Sequence, residues 1–138
     1  MKLVKRVITL GLISLILNTI WEFSQSFLYF HLSETPKYVH LISSSFTDMF
    51  IILSIFMIVS LKNKNFKWIE KPKKSEYLIV IFSGIIIAAS IELIYLKLGK
   101  WQYTSIMPTI FGIGVSPLIQ LALTGIISLI IMNKLSNN

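Results

Sequence analysis

The chain has 138 residues, 54% of them hydrophobic and 14% charged, with a mean hydropathy of +0.75. That balance excludes an ordinary soluble domain, which is about 25% charged, and the absence of cysteine excludes disulfides, thiolate metal sites and cysteine nucleophiles. The formal charge of +7 is carried by lysines that flank apolar blocks, which points to anionic lipid headgroups as partners and away from nucleic acid.

A bilayer core needs about 20 apolar residues per spanning helix. Four blocks meet or approach that length, over residues 7–30, 39–61, 77–96 and 109–132. They predict a single all-α domain, an integral membrane bundle of four transmembrane helices spanning 1–138. The first block follows MKLVKR but is long and lacks a small-residue cleavage site, so it reads as a retained helix and not as a signal peptide.

Between the blocks the basic residues are unevenly shared. Lys2, Lys5, Arg6, Lys62, Lys64, Lys67, Lys71, Lys73, Lys74 and Lys134 fall on one side, and only Lys37, Lys97 and Lys100 on the other. The positive-inside rule then predicts a multi-pass protein of the cell membrane with both termini cytoplasmic. Trp68 is expected to anchor at the inner headgroups, and Trp101 and Tyr103 at the outer ones.

The fourth block is irregular, with Pro108, Gly112, Gly114 and Pro117 ahead of an unbroken helical pattern. Ser116 is expected as N-cap, with Pro117 in the first turn. A helix over 117–132 would be about 24 Å long, short of a core of about 30 Å. The fourth helix is therefore expected to be kinked or broken at its outer end; the sequence leaves both open. Glu22 and Glu92, near the outer ends of helices one and three, also hint at an internal duplication.

The stretch LNTIWEFSQSFLYF sets Asn18, Glu22 and Gln25 inside a helix that should carry only hydrocarbon. Glu22 lies about 12 Å below the outer end of its helix, Asp48 about 10–13 Å below the same surface, and Glu92 one turn deep. Gln120 falls one turn into the regular part of helix four. Residues three or four apart share a helix face. Four polar stripes follow: Asn18, Glu22, Gln25 and Tyr29; His40, Ser44 and Asp48; Gly84, Ala88, Glu92 and Tyr95; and Ser116, Gln120, Thr124 and Ser128. Facing lipid would cost at least about 2.5 kcal/mol for each charged residue at the membrane centre. The stripes are expected to face one another around a polar cavity open to the outside, with at least one proton held among the three acids.

Glu22, Asp48 and Glu92 are thus the candidate catalytic acids. Asn18, Trp21, Gln25, Tyr29, His40, Tyr95, Trp101, Tyr103 and Gln120 are the candidate substrate-binding residues. Duller roles exist for several of these: Asn18 and Gln120 also suit simple helix-to-helix bonding, Trp21 suits packing, and Glu92 lies near enough to the surface to reach water. No metal or cofactor is expected, because no HExxH or comparable spacing occurs; carboxylates with His31 or His40 form the metal-binding alternative.

The NTIWEF segment, together with the later helix-borne aspartate of SFTDMF, resembles the Asn-x-x-Trp-Glu and Asp pattern of transmembrane terpene cyclases. The likeness covers about a third of the chain, and that family generally has more helices. It implies that Glu22 and Asp48 form an acidic pair that protonates an alkene or epoxide. The expected function is a small membrane enzyme acting by carboxylate acid/base chemistry on a lipidic or isoprenoid-like substrate, a lipophilic small molecule drawn from the surrounding membrane lipids. A proton- or cation-coupled transporter or channel subunit, and a non-catalytic lipid-binding or partner subunit, are the alternatives. The small size leaves room for homo-oligomerisation.

Overall fold

The computed structural model describes all residues, Met1–Asn138. Four long helices, α1 (Leu3–Gln25), α2 (Lys37–Lys62), α3 (Lys74–Lys97) and α4 (Val115–Asn137), account for most of the chain, and each is long and apolar enough to cross a membrane. They run alternately up and down. Both termini and the α2–α3 connection therefore lie at one end, here the terminal end, and the α1–α2 and α3–α4 connections lie at the other, the far end.

Apolar side chains cover the outside of the bundle, and polar ones are buried within it beside an apolar core. Ile8, Leu12, Ile16 and Ile20 form an exposed apolar stripe on α1, and Phe82, Ile86 and Leu93 are similarly exposed on α3. Ser14, Asn18, Ser45, Gln120, Thr124 and Ser128 are buried between the helices. Apolar packing is concentrated towards the terminal end, where Leu10, Phe56, Val59, Val80, Leu129 and Met132 form the main cluster with Trp68 and Ile69. Gly84 lets α3 and α4 meet closely, since a Cβ there would lie 2.8 Å from the Ala122 backbone nitrogen.

The α2–α3 connection folds back onto this cluster. Trp68 stacks on Phe56 and donates its indole N–H to Ser60 Oγ at 2.9 Å. It is a core residue, 3% exposed, and not the headgroup anchor that its basic neighbourhood suggests. Arg6, itself buried, fixes the same loop through an ion pair to Glu70 and a 3.0 Å bond to the Phe66 carbonyl. Glu76 closes the turn by accepting from the Lys73 amide and from Asn63 Nδ2.

The helix ends depart from the sequence expectation. Helix α1 begins at Leu3 and ends at Gln25, so Ser26–Leu28 form a 3-10 turn and β1 (Tyr29–Phe30) is extended. Helix α2 begins two residues earlier than expected and α3 three residues earlier, because lysines extend each helix beyond its apolar block. Strand β1 pairs antiparallel with β2 (Gln102–Tyr103), with Tyr29 opposite Tyr103, which ties the two far-end connections together.

Thr109–Gly114 is not helical. Strands β3 (Thr109–Ile110) and β4 (Ile113–Gly114) form a hairpin whose turn, Phe111–Gly112, has positive φ at both residues (50° and 79°). Such a turn suits strand twist, but a bulky residue at positive φ is strained. Helix α4 then starts at Val115 with Gly114 as N-cap and no side-chain cap. Ser116 is not the N-cap, because its hydroxyl is drawn across to Gln25 Oε1 at 2.7 Å.

Candidate functional site

A cavity of about 360 Å³ opens at the far end between α2 and α3, the helices that pack least closely as neighbours. This lies within the usual range for a small-molecule pocket, about 300–1,000 Å³. Leu41, Ala88, Ile91 and Leu121 supply apolar lining; Glu22, Asp48 and Gln120 supply its polar floor.

The floor is built by three helices. Gln120 Nε2 lies 2.9 Å from Glu22 Oε1, 2.8 Å from Asp48 Oδ2 and 3.1 Å from Asn18 Oδ1. The Glu22 and Asp48 carboxyl groups thus share one donor nitrogen. The orientation of Gln120 follows from a chain of donors. Trp21 Nε1, which can only donate, bonds Gln25 Oε1 at 3.2 Å. The Ser116 hydroxyl donates to the same oxygen. Gln25 is therefore turned so that its Nε2 donates to Gln120 Oε1 at 3.0 Å. That leaves the Gln120 nitrogen facing the carboxyls.

Beneath the floor, Asn18 donates to the Ser14 carbonyl at 2.9 Å and accepts from Thr124 Oγ1 at 3.2 Å. Both Asn18 and Thr124 are buried, and the apolar cluster around Leu10, Phe56 and Met132 closes the bundle towards the terminal end.

Glu92 forms a separate node on the cavity wall. It is 4% exposed, deeper than its place near the end of α3 suggests. Its carboxyl accepts from Tyr29 Oη (3.3 Å), Trp101 Nε1 (3.3 Å) and Tyr103 Oη. Tyr95 stacks on Trp101 with ring centroids 4.4 Å apart, and Tyr29 meets Trp101 edge-on at 6.2 Å. The C-terminal turn of α3 brings Trp101 back over Tyr95. Gly99, at φ +68°, donates to Leu96 O, and the Lys100 amide donates to Tyr95 O at 2.9 Å. Burial pushes the Tyr103 and Tyr29 phenols above the usual tyrosine range, and the adjacent Glu92 adds to the effect, so both remain neutral donors. Tyr103 Oη also accepts the Gly114 amide at 3.0 Å, which fastens the hairpin to this node.

Of the candidate residues, Glu22, Gln25, Tyr29, His40, Asp48, Glu92, Tyr95, Trp101 and Gln120 border the cavity. Asn18, Trp21 and Tyr103 do not. Asn18 is sealed below Gln120, Trp21 is turned to Gln25, and Tyr103 stands behind Glu92. His31 and His40 stand at the mouth and form no metal-ligand cluster with the acids. Lys37 and Lys100 also border the mouth. Lys37 shares a helix face with His40, Ser44 and Asp48, so extending that stripe by one turn finds it in the sequence. Lys100 is placed by the Gly99 turn and has no such periodic signal. No family model, no curated protein and no solved structure matches the chain.

Proposed function

We propose that the chain is an integral membrane protein with cytoplasmic termini, whose far-end cavity is the active site for acid/base chemistry on a lipophilic, isoprenoid-like molecule drawn from the outer leaflet. The apolar exterior and buried polar interior support the membrane reading, because exposed Ile, Leu and Phe on all four helices need an apolar solvent. The exposed apolar side chains of Ile106, Ile110 and Phe111 suit a far end dipping into that leaflet.

The observation that carries the reading is the Glu22–Asp48 pair, bonded to one amide at the floor of a partly apolar cavity. Intramembrane acids are functional by default. In the proposed reaction one carboxyl of the pair gives its proton to one carbon of an alkene, forming a C–H bond and a cationic centre. The partner carboxylate takes a proton from a neighbouring carbon, whose C–H electrons form the new double bond. The product has the mass of the substrate. Gln120 donates to whichever carboxyl is ionised, and Tyr29, Tyr95 and Trp101 offer aromatic surface to the transient positive charge. The apolar cluster between the floor and the terminal end favours this reading over transport, which needs a polar path across the bundle.

The test uses the full chain in liposomes with a panel of isoprenoid alkenes and epoxides. The expected result is a product of unchanged mass in H2O that gains deuterium in D2O. Glu22→Gln should lower its rate by about 100-fold or more. A wild-type rate in Glu22→Gln, or a product without deuterium, would overturn the proposal.

A further inference from the structure

The far end is poor in cations. Lys37, Lys97 and Lys100 are its only lysines, yet two of these three border the cavity mouth. Neither has a counter-ion: the sole ion pair in the protein is Arg6–Glu70, at the terminal end. Glu34, the one acid in the far-end connections, does not line the cavity. His40 stands one turn beyond Lys37 on the same face of α2, and His31 is held across the mouth by a 2.9 Å bond between Nε2 and the Thr35 carbonyl. The first turn of α2 contains no acidic residue.

The two lysines are placed by backbone structure. Lys37 is the first residue of α2, and Lys100 follows the Gly99 turn that seats Trp101 on Tyr95. Below them the charge changes sign. Asp48 lies eleven residues beyond Lys37 on α2, about 16 Å along the axis. Glu92 accepts from three donors, and Glu22 and Asp48 both accept from Gln120. The cations bordering the cavity therefore sit at its rim, above apolar and aromatic walls, and the Glu22 and Asp48 acids lie deeper.

We infer that Lys37, His40 and Lys100 form an anion-binding collar, and that the molecule taken into the cavity is an amphiphile with a phosphate-type head at the collar and an apolar chain reaching Glu22 and Asp48. This rests on the proposed function for the cavity and names its substrate class. A lipid-borne phosphate and a free phosphate share the head chemistry; the walls below the collar assign the chain-bearing form.

The experiment measures binding to the full chain in a non-ionic detergent by tryptophan fluorescence. The probes are decyl phosphate, decanol, decyltrimethylammonium and inorganic phosphate. Decyl phosphate should bind about tenfold or more tightly than decanol, and the double variant Lys37→Gln/Lys100→Gln should erase that advantage while decanol binding persists. Equal binding of decyl phosphate and decanol, or an unchanged preference in the double variant, overturns the collar and leaves the apolar cavity standing. Loss of saturable binding by every alkyl probe overturns both readings. Tighter binding of decyltrimethylammonium overturns the collar in favour of a cation site. Inorganic phosphate binding as tightly as decyl phosphate overturns the amphiphile and leaves a free-phosphate site.

Discussion

Glu22 and Asp48, on antiparallel helices, take hydrogen bonds from the same nitrogen of Gln120, at 2.9 and 2.8 Å. A primary amide has two N–H hydrogens, and Asn18 Oδ1 at 3.1 Å is a third acceptor for them. One acceptor is therefore left without a share of Gln120. Neighbouring donors make good the difference: Gln25 Nε2 lies 3.4 Å from Glu22 Oε1, and Thr124 Oγ1 lies 3.2 Å from Asn18 Oδ1.

Replacing the shared donor should be costly. Gln120→Leu leaves two carboxyls and the Gln25 amide without their partner in a buried site, for an expected loss of about 1–3 kcal/mol. Thermal unfolding in detergent should show a clear drop in midpoint. A midpoint equal to wild type would mean that the floor is solvated and the amide is not its keystone.

The Glu92 node predicts an alkaline limb in stability. Tyr103 is held above its ordinary pKa of about 10, by burial first and then by its hydrogen bond to Glu92. Its contribution is complete below that ordinary value and is lost as pH rises from there through the folded value. Tyr103→Phe should remove this part of the pH dependence and lower stability at neutral pH by about 1–2 kcal/mol. It should also speed hydrogen exchange at the Gly114 amide, which Tyr103 Oη accepts. Unchanged exchange there would show that the hairpin is held by other contacts.

The acid layer was legible because helical spacing is local. Asn18, Glu22 and Gln25 recur at four and three residues, and Asp48 and Gln120 fall at matching depths once the helices alternate. The expected cavity follows from the same arithmetic. Trp68 was not legible: its neighbours Lys67 and Lys71 look interfacial, and only the fold-back secured by Arg6 and Glu70 buries it. Nor was the convergence of Tyr29, Trp101 and Tyr103 on Glu92, which depends on β1 pairing with β2 across a long sequence separation. At Thr109–Gly114 the sequence leaves a kinked and a broken helix open and gives no sign of a hairpin, because Phe111–Gly112 lacks the Asn-Gly or Asp-Gly signature of such turns.

The orientation predicted by the ten-to-three division of basic residues can be read by cysteine labelling, since the chain has no cysteine of its own. An impermeant thiol reagent should modify a cysteine at Ser105 in intact cells and leave one at Lys71 unmodified until the membrane is opened. The reverse pattern would invert the topology and place the cavity on the cytoplasmic side.

The most direct test of the central claim is experimental density for the protein in lipid nanodiscs, with the cavity contents identified by mass spectrometry. An elongated, mostly apolar molecule should occupy the space between α2 and α3, with one end within hydrogen-bonding distance of Glu22 or Asp48. A cavity holding only water and an ion, joined by a continuous chain of water to the terminal end past Leu10 and Phe56, would contradict it.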